Sequence, residues 1–414
     1  MSKLDFAGQV APFLEENGLD GWLLYDYHAS NPIFWEVVGG RRFVTRPCLL
    51  YIPAKAEPAL VAHAVDEGKL KDTGIAVKVY ATHTAKVAAL KELLQGAKKV
   101  AMEYSPLGAL PVISRVDAGT VEMVRSLGVE VVSSADVVQF ALGRLDQDEY
   151  LSHLSAAASL SIIVRQAFAY IAEAPRSEWD VHQFIRERYR EQGLIADEGP
   201  VVAVNEHSSD PHYEPSAASP SAQGRPIVPG DWVLLDLWAK EQGGVFADIT
   251  WVGHYGQPPL KNRQVFAVVA GARDLAVEFL RKSYQRGYTP QGCQVDQVAR
   301  DYITAAGYGP YFTHRLGHSL GAEVHAYSAN LDDFETHDTR PLIPDLAFTI
   351  EPGIYIPEFG MRSEIDVVMT PKGPKVTTEV QRAIYPIGPG KAENRPRPPT
   401  SRGGHAPLSP GQGA

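Results

Sequence analysis

Five side chains in the C-terminal half of this 414-residue chain are of the types that hold divalent cations: Asp236, Asp248, His318, Glu351 and Glu364. Four carboxylates and one imidazole make an oxygen-rich donor set, enough for two cations a few ångströms apart. Water held between two such cations loses a proton near neutral pH and becomes a nucleophile. No disulfide framework, phosphate loop or Ser/His/Asp arrangement in the sequence makes a comparable case.

Each of the five has a strand-like setting. Asp236 lies in WVLLDLW (232–238) and Asp248 in VFADITW (245–251), with the turn signal EQGG (241–244) between them. This pattern predicts a β-hairpin. The aspartates are twelve residues apart. An odd-numbered loop with Gly243 left-handed would set them facing each other on one side of the hairpin. Facing carboxylates repel unless a cation lies between them. Two edge aspartates pointing to solvent are the alternative, but the Leu, Trp, Phe and Ile around them argue for burial, where an unpaired carboxylate is costly.

The segment THRLGHSLGAEVH (313–325) gathers His314, His318 and His325, with Gly317 and Gly321 keeping the backbone slim. A neutral imidazole fits among carboxylates, and the cluster alone could be a zinc site. The interrupting glycines argue against one helix carrying ligands four residues apart. His212 sits in DPHY (210–213), in a Ser/Pro-rich loop where plain solvent exposure is the competing reading. Glu351 ends the apolar run in FTIEPGIY (348–355), where Pro-Gly stops the ladder. In GMRSEIDV (360–367), Glu364 is placed in the next strand, with Arg362, Glu364 and Asp366 alternating on one face. A salt-bridged surface ladder is the alternative there.

The elements that carry these residues fall into two groups, as the length leads one to expect. Residues 1–145 alternate strand signals (22–25, 48–52, 59–62, 76–80, 100–103, 129–132) with helical ones (86–94, 112–126 and a short helix through Gln139). That predicts an α/β domain with a mixed or parallel sheet. Residues 146–387 interleave helices (about 148–173, 177–192, 263–283 and 294–305) with the acidic strands, an α+β pattern. From residue 388 to 414 the chain is rich in Pro, Gly, Arg and Ser, and a disordered tail is expected.

Composition narrows the partners. A net charge of −10, with only a short basic cluster at Arg395, Arg397 and Arg402, argues against nucleic acid. Cys48 and Cys293 stand alone without CxxC spacing, which points to a reducing cytoplasm. The N-terminus, MSKLDFAGQVAPFLEENG, reads as an amphipathic helix and not a signal peptide. With no run of 18 apolar residues, no membrane span is expected.

The order Asp…Asp hairpin, then HRLGHSLGAEVH, then TIEPG, then Arg-x-Glu resembles the pita-bread metallopeptidases. That family includes prolidase (Xaa-Pro dipeptidase), aminopeptidase P, methionine aminopeptidase and the metal-free creatinase. The resemblance spans roughly residues 150–387, and the preceding domain resembles the creatinase/prolidase N-terminal domain. It implies that Asp236 binds one metal ion, that Asp248 and Glu364 bridge two, and that His318 and Glu351 complete the second. It further implies that His212 and His325 position substrate and stabilise the tetrahedral intermediate. His314 would lie on the substrate side, and Arg362 would orient the bridging glutamate and meet the substrate carboxylate. Three departures stand out: the aspartates are one residue further apart than usual, the usual Pro-Gly-Met is Pro344-Asp345-Leu346, and the usual Glu-Asp pair is split as Glu364-Ile365-Asp366.

All five ligands that the resemblance implies are present, which disfavours creatinase, and the separate N-terminal domain disfavours methionine aminopeptidase. Xaa-Pro dipeptidase is the leading expectation, from chain size and the single N-terminal domain, with aminopeptidase P acting on longer peptides as the alternative. A peptide-binding module without catalysis is a third, weaker reading. Two Mn²⁺ ions are expected, with Zn²⁺ or Co²⁺ able to use the same ligands. A small peptide with proline at its second position and a second copy of the chain, forming a homodimer, are the expected partners.

Overall fold

The computed structural model describes residues 3–211, 213–216 and 223–388. The expected tail therefore lies outside the described residues, Gly388 excepted, and so does His212.

The first sheet contains β1 (Gly21–Asp26), β2 (Cys48–Pro53), β3 (Ala59–His63), β4 (Ala76–Tyr80), β5 (Lys99–Met102) and β6 (Glu130–Ser133). Its order is β4-β3-β2-β1-β5-β6. Only β2 runs antiparallel to its neighbours, so the sheet is mixed. Helices α1 (Lys3–Glu16), α2 (Pro32–Val38), α3 (His83–Leu93), α4 (Ala118–Ser126) and α5 (Ala135–Leu142) accompany it. Alternation along β1 fills both faces: Trp22 and Leu24 join Phe34 and Leu50, whereas Leu23 joins Leu49, Leu90 and Val131. Two local differences from the sequence reading have clear causes. The helix expected over 112–126 starts only at Ala118, because the Asp117 side chain accepts the Thr120 N–H as a cap. Helix α2 went unread, although Asn31 caps its start and left-handed Gly39 ends it.

The second group begins with α6 (Gln147–Glu173), opened by a capping box between Asp146 and Glu149. Then follow β7 (Arg176–Ser177), α7 (Glu178–Glu191), β8 (Leu194–Ile195), β9 (Val201–Val204), β10 (Pro226–Ile227), β11 (Trp232–Glu241) and β12 (Ala247–Tyr255). After α8 (Leu260–Gln285) and α9 (Gly292–Ala305) come β13 (Ser319–Leu320), β14 (Ala347–Ile350), β15 (Gly353–Ile356), β16 (Phe359–Arg362), β17 (Ile365–Thr370), β18 (Gly373–Val376) and β19 (Tyr385–Ile387). Strands β19, β12, β11 and β8 form one sheet with β9 also on β11, and β13, β14, β17 and β18 form another. This mixture of helices and largely antiparallel strands is the α+β architecture read from the sequence.

Helix α6 is long and apolar enough to cross a membrane by length and composition, which a search for unbroken apolar runs overlooks. Its Leu160, Val164 and Phe168 instead pack with Val233, Leu235, Leu237 and Ile249 in one core. The alternate positions Trp232, Leu234 and Val252 enter a second core with α8, α9 and the β14–β17 strands. By period two, Asp236 and Asp248 share that second side. Their carboxylates therefore point between the two halves of the α+β region.

Candidate metal centre

The hairpin turns at left-handed Gly243 (φ +75°), as its loop requires. The register, however, corrects the expectation that the two aspartates oppose each other. Thr250 is the partner of Asp236, and Trp238 is the partner of Asp248. The carboxylates are thus diagonal on one side, a stagger that eases their repulsion and places the Thr250 hydroxyl between them and the next strands.

His318 precedes β13, and its backbone N–H donates to Thr349 Oγ1 on β14 at 3.0 Å. Gly317 permits this approach, since a Cβ there would lie 2.0 Å from the Thr349 carbonyl oxygen. The ring is oriented by Nδ1 on Ser319 O at 3.3 Å, which turns Nε2 toward the acids. Nε2 lies 3.7 Å from Asp248 Oδ2 and 3.5 Å from Glu351 Oε1. Candidate ligand atoms of Asp248, His318 and Glu364 all fall within 4.8 Å of one another. Glu351 follows β14, and its Oε1 accepts the Thr349 hydroxyl at 3.2 Å.

Glu364 does not sit in a strand, as the sequence reading had it, but at the joint between β16 and β17. Its Oε2 accepts the Thr250 hydroxyl at 2.6 Å. Arg362 is buried with it and donates to Asp236 Oδ2, to Thr250 Oγ1 (2.8 Å) and to Tyr355 Oη (3.2 Å). Glu364 is 3.9 Å from Arg362, so the arginine acts on that glutamate chiefly through Thr250. The surface-ladder alternative is ruled out, because Arg362, Glu364 and Asp366 are all buried. Nor do the three share one set of contacts: Asp366 Oδ2 accepts the backbone N–H of Asp248 at 3.0 Å and lies 3.9 Å from His153 Nε2.

All five carboxylate and imidazole residues are at most 9% exposed. Burial, reinforced by mutual repulsion, holds the Asp248 and Glu364 carboxyls well above their ordinary range. Burial also pushes Glu351 up to about 7, with Arg362 opposing the rise. Burial, followed by the neighbouring His325, keeps the His318 imidazole neutral, the form that ligates metal. Asp236 Oδ1 and Asp248 Oδ1 are buried without a hydrogen-bond partner among the described residues. Orphaned carboxylate oxygens beside a neutral imidazole are the donor set that divalent cations satisfy. The residues present fit such a cation, with Asp248, His318 and Glu364 already grouped for it.

A cavity of about 890 Å³ opens over this centre and is lined by all five residues together with His314, His325, Arg315, Arg362 and Trp238. The His325 ring meets His318 edge-on at 4.3 Å. His314 is already engaged at both nitrogens, by Arg315 O (2.6 Å) and Tyr355 Oη (2.8 Å), and burial lowers its pKa to about 3. His212 lies outside the described residues, while Pro211 and Glu214 on either side of it line the cavity. Thr250, Thr349, Tyr355 and Asp366 were not singled out for this role from the sequence. Thr250 and Thr349 each stand two residues from a candidate ligand, and that strand spacing was the available signal.

Residues 152–371 match metallopeptidase family M24. The chain belongs to this family. Over 187 residues it is 33% identical to an uncharacterized peptidase of Staphylococcus epidermidis, covering 44% of this chain and 47% of that protein. It is 35% identical over 190 residues to a Xaa-Pro dipeptidase of Lactobacillus helveticus, covering 45% and 47%. The chain thus spans about half the length of these curated relatives. The fold matches that of the dipeptidase PepE from Mycobacterium ulcerans with a TM-score of 0.72 at 24% identity, over 94% of this chain and 98% of that one. The pita-bread architecture of an M24 member therefore agrees with the resemblance read from the motifs.

Proposed function

We propose that this M24 member hydrolyses Xaa-Pro dipeptides with two divalent cations. The observation that carries the reading is the convergence of Asp236, Asp248, His318, Glu351 and Glu364 at the buried floor of one cavity. Asp236 would hold one ion, Asp248 and Glu364 would bridge, and His318 with Glu351 would complete the other. Mn²⁺ suits so many carboxylates, and Zn²⁺ or Co²⁺ can use the same donors. When bound, such ions supply an activated water and polarise a carbonyl at neutral pH. The chain's own residues do the rest. Arg362 and Thr250 fix the carboxylates of Asp236 and Glu364. Glu351 would accept and return a proton, while His325 and His212 would stabilise the charge that develops on the scissile carbonyl.

An Xaa-Pro bond suits such a centre because proline offers no N–H for extended pairing, which ordinary peptidases rely on. The dipeptidase named among the relatives supports this substrate class. We assign residues 1–145 to a unit for substrate selection and homodimer contact, residues 146–387 to catalysis, and the protein to the cytoplasm. The test is a panel of Xaa-Pro and Xaa-Pro-Yaa peptides with added Mn²⁺ and with chelator. Chelator-sensitive turnover that favours Xaa-Pro is expected. Faster turnover of Xaa-Pro-Yaa rejects the dipeptidase reading in favour of aminopeptidase P, and metal binding without turnover favours a peptide-binding module.

A further inference from the structure

A dipeptide differs from a longer peptide by the carboxylate directly on its proline, and a buried carboxylate needs a cationic or hydrogen-bonding partner. Among the described residues two guanidinium groups line the cavity, Arg362 and Arg315. Arg362 is engaged at all three nitrogens: Nη2 donates to Asp236, Nε to Thr250 and Nη1 to Tyr355. Diverting it to substrate would strip a buried carboxylate of its countercharge.

Arg315 is differently disposed. Its Nη1 donates to Glu335 Oε2 at 3.1 Å and its backbone N–H to Glu335 Oε1 at 3.0 Å. Its Nε and Nη2 have no partner among the described residues, and together they form the side-on edge that takes a carboxylate bidentately. The side chain is 23% exposed, so it lies at the cavity wall and is still reachable from solvent. Its backbone is rigid. Arg300 donates to the His314 carbonyl at 2.8 Å, the Leu316 N–H donates to Asp296 Oδ1 at 2.8 Å, and Arg300 and Asp296 are themselves paired on α9.

We propose that Arg315 receives the free carboxylate of the substrate's proline through its Nε/Nη2 edge, while Glu335 holds the opposite side of the guanidinium. This specificity role rests on the Xaa-Pro reading above, and it takes from Arg362 the contact that the family resemblance assigned to that residue. Glu335 orients Arg315, and selectivity for the acid over a neutral group comes from the two charge-assisted hydrogen bonds of the Nε/Nη2 edge.

The experiment compares kcat and KM of the Mn²⁺-loaded wild type, Arg315→Gln and Arg315→Lys on Xaa-Pro and on its C-terminal amide. Two charge-assisted hydrogen bonds suggest a loss of roughly 10–100-fold in kcat/KM for Arg315→Gln on Xaa-Pro, carried mainly by KM. The loss on the amide should be at least about tenfold smaller. Arg315→Lys should fall between, because a lysine keeps the charge but not the fork. Equal losses on acid and amide, or no loss on either, overturn the assignment. Calorimetric titration of N-acetylproline and its amide gives a readout independent of turnover. The wild type should prefer the acid, and Arg315→Gln should abolish the preference. If the loaded wild type hydrolyses neither peptide, the Xaa-Pro reading has failed. The same titration then decides Arg315 alone, and an acid preference that survives in Arg315→Gln overturns it.

Discussion

Removing the cations should invert the pH dependence of stability, and Glu351 sets the scale. Its carboxyl is pushed to about 7 in the cation-free fold, against an ordinary 4.5. Such a group favours its protonated form in the fold, so its contribution is fully present below about 4.5. That contribution is lost as pH rises through 7. The span is worth about 3 kcal/mol at 1.36 kcal/mol per pH unit. Asp248 and Glu364, held high by the same burial, act in the same direction. Ligation requires the deprotonated carboxylates, so the loaded protein gains where the stripped protein loses. Each cation at a hundred times its Kd adds about 2.7 kcal/mol. Denaturant melts of stripped and Mn²⁺-loaded protein at pH 6, 7 and 8 should therefore diverge steadily. Calorimetry in buffers of different ionisation enthalpy tests the same protons directly. With a pKa near 7, Glu351 should release about 0.7 of a proton more on Mn²⁺ binding at pH 6.5 than at pH 8.5. Proton release that does not vary with pH, or parallel stability curves, would refute the placement of Glu351 among the ligands.

Substitutions at four residues probe the centre. Asp248→Asn or Glu364→Gln should abolish activity and Mn²⁺ uptake together, whereas His325→Ala should keep uptake and lose about 10²–10³-fold in kcat; similar mild losses in all three would contradict the bridging roles. Asp366→Ala removes the acceptor of the Asp248 N–H and should weaken Mn²⁺ binding by about 10–100-fold, with Asp366→Asn losing less, as measured by titrating stripped protein.

The candidate donor set was legible because its chemistry conflicts with its surroundings. An aspartate inside WVLLDLW or a glutamate closing FTI needs a reason to be there, and the local sequence supplies none. Strand periodicity then gave the face. It could not give the register, because a two-residue stagger keeps every side chain on the same side. Asp236 therefore pairs with Thr250 where direct opposition to Asp248 had been expected. Glu364 misled in a similar way. Alternation with Arg362 and Asp366 implied a shared face, but the chain leaves β16 at Arg362 and re-enters a different sheet at Ile365. The apparent period crosses a joint between sheets, so it carries no facing information there.

Hydrogen-bond allegiance was the least accessible property, and it separates the two arginines. Both stand beside a motif residue, Arg315 after His314 and Arg362 two before Glu364, so sequence position gives each an equal claim on substrate. What distinguishes them is which carboxylate has already been satisfied. Asp236 sits diagonally across from Asp248 with Arg362 donating to it, and that pairing depends on β11, β12 and β16 meeting in the fold. The stagger of the hairpin therefore does two things at once. It separates two like charges, and it commits Arg362 to Asp236, leaving Arg315 as a guanidinium at the cavity wall whose Nε/Nη2 edge has no partner among the described residues. A register shift that broke the Arg362–Asp236 contact would alter metal affinity and substrate choice together, which is why neither can be read from the motifs alone.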